Sequence, residues 1–387
     1  MGLEEDLAPH SLDIAHKVLL RGYTLAEVAR EYHVAPSTLH RALKGWRQAG
    51  RFELVDRKAS KGFTAETDDD RELADRLVRK TSLWRARVVS VRDTTPAETE
   101  DYLADPGTPA AVAAYTATDV LHWALGGVAA DLLLDRLKPG WVVGVASGRG
   151  AGFAVSRCEE AIGRAPSRAR DLNSVKIVSL SGGQQVGAWG EMRISRALDA
   201  DANCFELSQV LQVPEDHVTY MANWIAATDP PHFTCKLDLA LVGAGVLNTN
   251  HFFYRYLKTV QLAAMRAPLE RLQALQGQDP ALLHQVADIA HRLFPAGDQD
   301  SLPDAFLDAI EQVNRVVVAA LPETVKNADE VILVAAGAQK LPVLYPLVTG
   351  QCPRAPVDPR RVILVTDRWT AQQLCDMADP RPGGGRS

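Results

Sequence analysis

Five segments of this chain are strand-length, almost wholly apolar and rich in β-branched residues, and they leave few options for its fold. They are WVVGVAS (141–147), VKIVSLSGG (175–183), DLALVGAG (238–245), VILVAAG (331–337) and VILVTD (362–367), and each ends in glycine, serine or aspartate. A strand that is apolar at nearly every position has no face for water, so both faces must be covered. Helical patterns lie between these segments. That alternation specifies an α/β domain on a parallel, Rossmann-like sheet. In such sheets ligands bind beyond the carboxyl ends of the strands, which is where the glycines collect.

The 387 residues suggest two or three domains at the usual size of roughly 100–200 residues each. A net charge of −6 means that any nucleic-acid surface must be local. The opening MGLEEDLAPH is acidic where a secretory signal is basic and then apolar, and it lacks the pattern of a myristoylation site. No apolar run reaches membrane-spanning length. The five cysteines (158, 204, 235, 352 and 375) form no C-x-x-C pair and read as reduced thiols of a cytoplasmic protein. A single H-x-x-C, His232 with Cys235, has no second pair, so no metal site and no cofactor is expected.

The local basic surface lies near the start. Residues 11–56 read as three helices, the first with Ile14, Val18 and Leu19 on one face. Thr24 opens the second as an N-cap, and Glu27 completes a capping box. Leu25, Val28 and Ala29 form the buried face, and a turn through His33 and Val34 leads to a third helix from Pro36, a residue suited to a first helical position. Val28, Val34, Leu39 and Leu43 fill the core of a helix-turn-helix, with His33 where glycine is common. The exposed face carries Ser37, Thr38, His40, Arg41, Lys44 and Arg47, placed with Thr24 and Pro36 to meet bases and phosphates of double-stranded DNA. From Arg30 to Lys61 there are eight Lys/Arg and three Asp/Glu, a local charge of +5.

These features divide the chain into a helix-turn-helix domain (1–56), a linker with a connecting helix and strand (57–115), an α/β domain (116–378) and a disordered tail (379–387). The stretch 254–328 reads as mostly helical. It and residues 71–91 carry apolar patterns that mark them as candidate interfaces of a homo-oligomer, since one helix-turn-helix alone binds DNA modestly.

The strand ends supply the candidate ligand site. ASGRGAG places Ser147, Gly148, Arg149 and Gly150 before a helix, whose free N–H groups favour an anion. SLSGGQQ brings Gly182, Gly183 and Gln184, and LVGAGVLN brings Gly243, Gly245 and Asn248. AAGAQK contributes Gly337 and Lys340, and VTDRWTA contributes Asp367. Taken singly, each glycine turn also reads as a tight connection, Lys340 as a helix-start lysine and Asp367 as a helix cap.

The order of these motifs resembles the SorC/DeoR-type sugar-binding transcriptional regulators from about residue 11 to 378. GVASGRG stands for the family's GVSWGRT, SLSGG for its VGG, and DLALVGAG for its DIALVGIG. ADIAHRLFPAG (287–297) echoes a GDI…F…G segment, AAGAQK its AGG…K, and TDRWTA its TDE-x-TA. The resemblance implies an oligomeric, often tetrameric, operator-binding regulator. Its effector domain would have the ribose-phosphate isomerase/glucosamine-phosphate deaminase fold and be switched by a phosphorylated sugar. It places Gly148, Arg149 and Gly150 on a phosphate loop, Lys340 on the ligand, and Asp288 and Asp367 as hydroxyl partners. Three departures stand out: Gly150 for a threonine, Ser147 for a tryptophan, and Arg368 for a glutamate. Arg149 and Arg368 together point to an anionic ligand.

Two other function classes are compatible with these residues. A sugar-phosphate isomerase-like or deaminase-like enzyme would need a positioned acid and base. Asp238, Asp367 and Glu191 are candidates, but His217, His232 and His251 have no evident partner, and no catalytic residue is assigned. A constitutive DNA-binding regulator with a degenerate ligand site is the other.

Overall fold

The computed structural model describes residues 14, 25–39, 41–42, 68–90, 109–182, 199–221, 235–247, 263–279, 282, 285–297 and 302–379. The chain forms two compact units, residues 1–65 with 92–121 and residues 66–91 with 122–387.

In the first unit, α1 (Leu25–Glu31) is followed by a turn and by helical residues 36–39 and 41–42. Val28, Ala29, Leu39, Ala42 and Ile14 form its core, with Tyr32 and Val34 packed against them. The turn between the helices is set by backbone pairing. His33 N–H donates to the Arg30 carbonyl (3.2 Å) and Val34 N–H to the Ala29 carbonyl (2.9 Å), the two bonds of a Schellman cap. That cap needs a left-handed residue, and His33 takes it with φ +54°. His33→Gly removes the Cβ penalty of about 1–2 kcal/mol and adds back part of it in chain entropy. The expected net is a gain of about 0.5–1 kcal/mol in this unit, read by thermal unfolding. A loss would mean that the exposed imidazole makes a contact the turn depends on.

The second unit is built on a seven-stranded parallel sheet. Its strands are β1 (Arg85–Val89), β2 (Val142–Val145), β3 (Lys176–Ser179), β4 (Val218–Thr219), β5 (Leu239–Gly243), β9 (Glu330–Val334) and β10 (Val362–Asp367), in the order β1-β10-β9-β5-β2-β3-β4. From β2 the chain winds outward to β3 and β4, then crosses to β5, β9 and β10 on the other side. This is the doubly wound order, with β1 added beyond β10.

Helices cover the strands as their apolar content requires. They are α2 (Asp68–Lys80), α3 (Pro109–Arg136, of which 122–136 belong here), α4 (Arg149–Arg164), α5 (Ala200–Leu211), α6 (Ala263–Gln278), α7 (Asp304–Val316), α8 (Pro322–Lys326), α9 (Leu341–Val348) and α10 (Arg368–Ala378). A Cβ on Gly126 of α3 would lie 2.7 Å from the Phe153 carbonyl carbon of α4, so glycine permits that close crossing. Among the described residues no helix is long and apolar enough to cross a membrane.

Two readings of the sequence need revision. Residues 68–90 are more than a connector: β1 pairs with β10 from Arg85↔Ile363 to Val89↔Asp367, and Leu73, Ala74 and Leu77 of α2 lie in the main core. The stretch 254–328 is not mostly helical throughout, because β7 (Val286–Ile289) and β8 (Arg292–Pro295) form an antiparallel hairpin inside it. With β6 (Gly245–Val246) they make a second, three-stranded sheet. Leu269, Leu272, Phe306, Ile310 and Val313 of α6 and α7 close a separate core with Val286 and Leu293 of that hairpin. Many of the apolar residues that suggested interfaces are therefore buried within the unit.

Candidate functional site

The chain reverses its winding direction between β2 and β5, and the crevice beyond their carboxyl ends is the switch point of the sheet. Ala146 N–H donates to the Leu241 carbonyl (2.9 Å), carrying the β2–β5 pairing one residue past β2. Ser147 follows, buried. Gly148 then turns the chain with φ +108° and stands at the N-cap of α4, its carbonyl accepting from Gly152 N–H at 2.9 Å. The first N–H groups of α4 have no acceptor within the helix and gather at this loop, an arrangement that favours an anion.

Gly150 has a packing role beside its place in the loop. A Cβ there would lie 2.6 Å from the Val334 carbonyl oxygen and 2.9 Å from the Val334 Cβ. The missing side chain lets α4 approach the end of β9, so no threonine hydroxyl fits at this position. Gly150→Ala should cost about 1–3 kcal/mol through forced backbone shifts, seen as a lower unfolding midpoint. An unchanged midpoint would show that α4 moves off β9 without cost.

On the far side of β5, Gly337 turns the chain out of β9 with φ +102° and leads through a short helix, Ala338–Lys340, into α9. Its N–H donates to Thr370 Oγ1 (2.9 Å), and Thr370 donates in turn through its backbone N–H to Asp367 Oδ1 (2.9 Å) and through its hydroxyl to Oδ2. Asp367 is thus the N-cap of α10, and both its oxygens serve that cap. This is the local role that its spacing before RWTAQQL allowed.

Lys340 keeps some exposed surface, but the protein packed around it pushes its pKa down to about 8; Arg149 adds to the push and Asp367 opposes it. Two cations from β2 and β9 therefore bear on one region, and their mutual repulsion is relieved by an anion. The sign follows. Lys340 is charged below about pH 8, so affinity for an anion should be highest there and fall as pH rises through 8. In the ligand-free fold the depressed pKa costs stability below that pH, and the cost disappears as pH rises toward the ordinary lysine value. Titrating ligand affinity between pH 6.5 and 9.5 checks this, and a flat profile would remove Lys340 from the site. Arg368 points elsewhere: its guanidinium lies 3.8 Å from the buried Asp70 carboxylate of α2. The pairing of Arg149 with Arg368 around a ligand is thereby replaced by Arg149 with Lys340.

The β7–β8 hairpin supplies a residue that sequence reasoning missed. Its two-residue turn, Ala290 (φ +51°) and His291 (φ +62°), needs left-handed backbone at both positions without the usual Asn-Gly. His291 Nε2 lies 2.6 Å from Ser147 Oγ, and both residues are buried. No turn signal in AHR could have located it. Asp288 is also buried, on β7 opposite Gly245 of β6. The hairpin is held from outside the turn. Arg292 donates to the carbonyls of Asn314, Ala319 and Ala320 at 2.6–3.1 Å, while Asn314 bonds both N–H and carbonyl of Leu293.

Other expected residues fall as follows. Gly182 N–H donates to the Val318 carbonyl (2.8 Å) beside the Ser181–Ala319 bridge, and Gly243 ends β5. Gly183, Gln184 and Asn248 lie outside the described residues, as do Glu191, His232 and His251. Asp238 is at the opposite end of the sheet, where its carboxylate accepts from Val142 N–H (2.7 Å), so it is no base for this site. His217 precedes β4 and is likewise at an amino end. In the first unit Pro36, Ser37 and Arg41 are exposed and Thr38 half-buried, opposite Leu39 and Ala42. Thr24, His40, Lys44 and Arg47 lie outside the described residues.

The fold is that of solved transcriptional regulators. The probable sor operon regulator from Shigella flexneri matches with a TM-score of 0.50 and 18% identity, over 80% of this chain and 100% of that one. The full-length sorbitol operon regulator SorC from Klebsiella pneumoniae covers 96% of this chain and 99% of its own, with a TM-score of 0.49 and 18% identity. A DeoR family transcriptional regulator from Listeria monocytogenes covers 79% and 100%, with 0.48 and 16%. The structures that this chain resembles are thus regulators of the SorC/DeoR type, the resemblance read in its motifs, and at these identities the likeness speaks to fold alone. No protein-family model and no curated protein matches the sequence.

Proposed function

We propose that this chain is a ligand-responsive, DNA-binding transcriptional regulator and not an enzyme. Residues 1–56 bind double-stranded operator DNA through the exposed face around Pro36, Ser37, Thr38 and Arg41, joined by Thr24, His40, Lys44 and Arg47. The α/β domain binds a phosphorylated sugar or similar anionic metabolite, and binding alters operator affinity. The observation that carries this reading is the convergence of Arg149, Lys340 and the α4 N-terminus at the switch point of the sheet. These groups are donors, and together they suit a phosphate.

The remaining ligand contacts in this proposal come from Ser147, Gly148, Gly182, Gly183, Gln184, Gly243, Gly245, Asp288 and the edge formed by Asp367. Gly150 contributes by bringing α4 close to β9. The chain acts as a homo-oligomer, because paired half-sites give a helix-turn-helix its affinity. The regulators with the same fold support the regulator half of this reading.

Thermal unfolding against sugar phosphates, nucleotides and carboxylated sugars tests the ligand half. A true effector at about a hundred times its Kd stabilises by about 2.7 kcal/mol, which raises the midpoint by roughly 4–5 °C for a domain of this size. If no compound moves the midpoint, the site is degenerate and the ligand half of the proposal fails.

A further inference from the structure

We propose that Ser147 and His291 together form the specificity-determining pair of the effector site. They read the hydroxyl-bearing end of the ligand whose anionic end Arg149 and Lys340 hold. This rests on the effector-site reading above and adds the residues that separate a sugar phosphate from a bare anion.

The geometry of the hairpin is the first support. Two consecutive non-glycine residues in left-handed backbone cost on the order of 1 kcal/mol each, and such strain persists only where surrounding structure imposes it. Here it is imposed by contacts outside the turn. Arg292 ties β8 to three carbonyls between Asn314 and Ala320, and Asn314 clasps Leu293. The result of the strain is one placement, an imidazole nitrogen 2.6 Å from the hydroxyl that follows β2. That hydroxyl is next to the φ +108° glycine that opens the anion-favouring end of α4. Asn-Gly would make the same hairpin without strain and would not deliver a ring.

The chemistry of the pair is the second support. Ser147 Oγ has one proton and two acceptor sites. If it donates to His291, its lone pairs accept from a ligand O–H. If His291 donates to it, its own proton is left for a ligand oxygen. A hydroxyl group satisfies either arrangement, whereas Arg149 and Lys340 only donate. The pair is also shielded from water, with Ser147 8% and His291 3% exposed, so a ligand hydroxyl meeting Ser147 Oγ competes with little water.

The test measures binding of inorganic phosphate and of a panel of pentose and hexose phosphates by calorimetry. The proteins are the wild-type chain, Ser147→Ala, the double variant Ser147→Ala/His291→Gly, and Arg149→Ala. Removing both partners together leaves neither unsatisfied, and glycine relieves the turn, so the double variant should stay folded. The expected result is a loss of about tenfold or more for the sugar phosphate in both serine variants, with phosphate affinity within about twofold of wild type. Arg149→Ala should weaken both ligands. The proposal is overturned if the serine variants bind the sugar phosphate as wild type does, or lose both ligands in equal proportion. If the double variant does not fold, Ser147→Ala alone decides by the same split. If wild-type protein binds phosphate but no sugar phosphate more tightly, the pair reads nothing and the anion site stands. If it binds none of them, the effector-site reading itself falls.

Discussion

Arg149→Ala is expected to lower affinity for the anionic effector by about one to two orders of magnitude while leaving DNA binding in its absence unchanged. A charge-assisted hydrogen bond contributes about 1.5–3 kcal/mol, which is roughly 10- to 150-fold in a dissociation constant. Arg149 is the first residue of α4, so its charge adds to the partial positive charge of the helix end. A second effect accompanies the first. Arg149 is one of the causes that hold Lys340 near pKa 8, so its removal lets that pKa rise. The pH at which binding fades should therefore move upward in the variant. A weaker site with an unshifted pH profile would mean that the two cations do not share a ligand.

Arg292→Met is expected to cost about 3 kcal/mol or more in stability of the second unit. The guanidinium is buried and donates to three carbonyls, those of Asn314, Ala319 and Ala320. Methionine retains much of the stem but leaves those acceptors without their donors, at about 1–3 kcal/mol each. Part of that loss is recovered, since burial opposes the charged form and lowers the Arg292 pKa. The net cost therefore falls at the low end of that range. In a domain of this size it corresponds to a midpoint lower by roughly 5 °C. The variant should also lose effector affinity, because the Arg292 contacts that help pin His291 against Ser147 are gone. Stability near wild type would show that the 314–320 carbonyls find other donors.

Much of this architecture was legible in the sequence, and the gaps have identifiable causes. The five apolar segments became β2, β3, β5, β9 and β10, because a strand buried on both faces declares itself through composition. Their order did not, since parallel pairing joins residues far apart in the chain, such as Val89 with Asp367. For the same reason α2 and β1 read as a connector although they complete the sheet. The β7–β8 hairpin went unseen because its four-residue strands are joined by Ala-His, a pair with no turn preference.

The site shows the same division. Gly148 and Gly337 were legible as strand-end glycines, and both do take positive φ. Gly150 was legible as a glycine but not as a packing glycine, since only the fold brings Val334 against it. Asp367 had two readings, and the local one, a cap for Thr370, is the one its hydrogen bonds realise. His33 went the other way: the turn position and its left-handed backbone were both readable from a local pattern.

The most direct test of ligand-gated DNA binding is the affinity of the purified chain for its own upstream DNA. It should be measured by fluorescence anisotropy at fixed salt, with and without each sugar phosphate of the panel. One compound is expected to change the dissociation constant by about 5- to 150-fold, a coupling of about 1–3 kcal/mol between the two sites. That shift should be abolished in Arg149→Ala, and affinity should fall steeply with added salt as phosphate contacts release counterions. Tight DNA binding that no compound alters, or a nearly flat salt response, would contradict it.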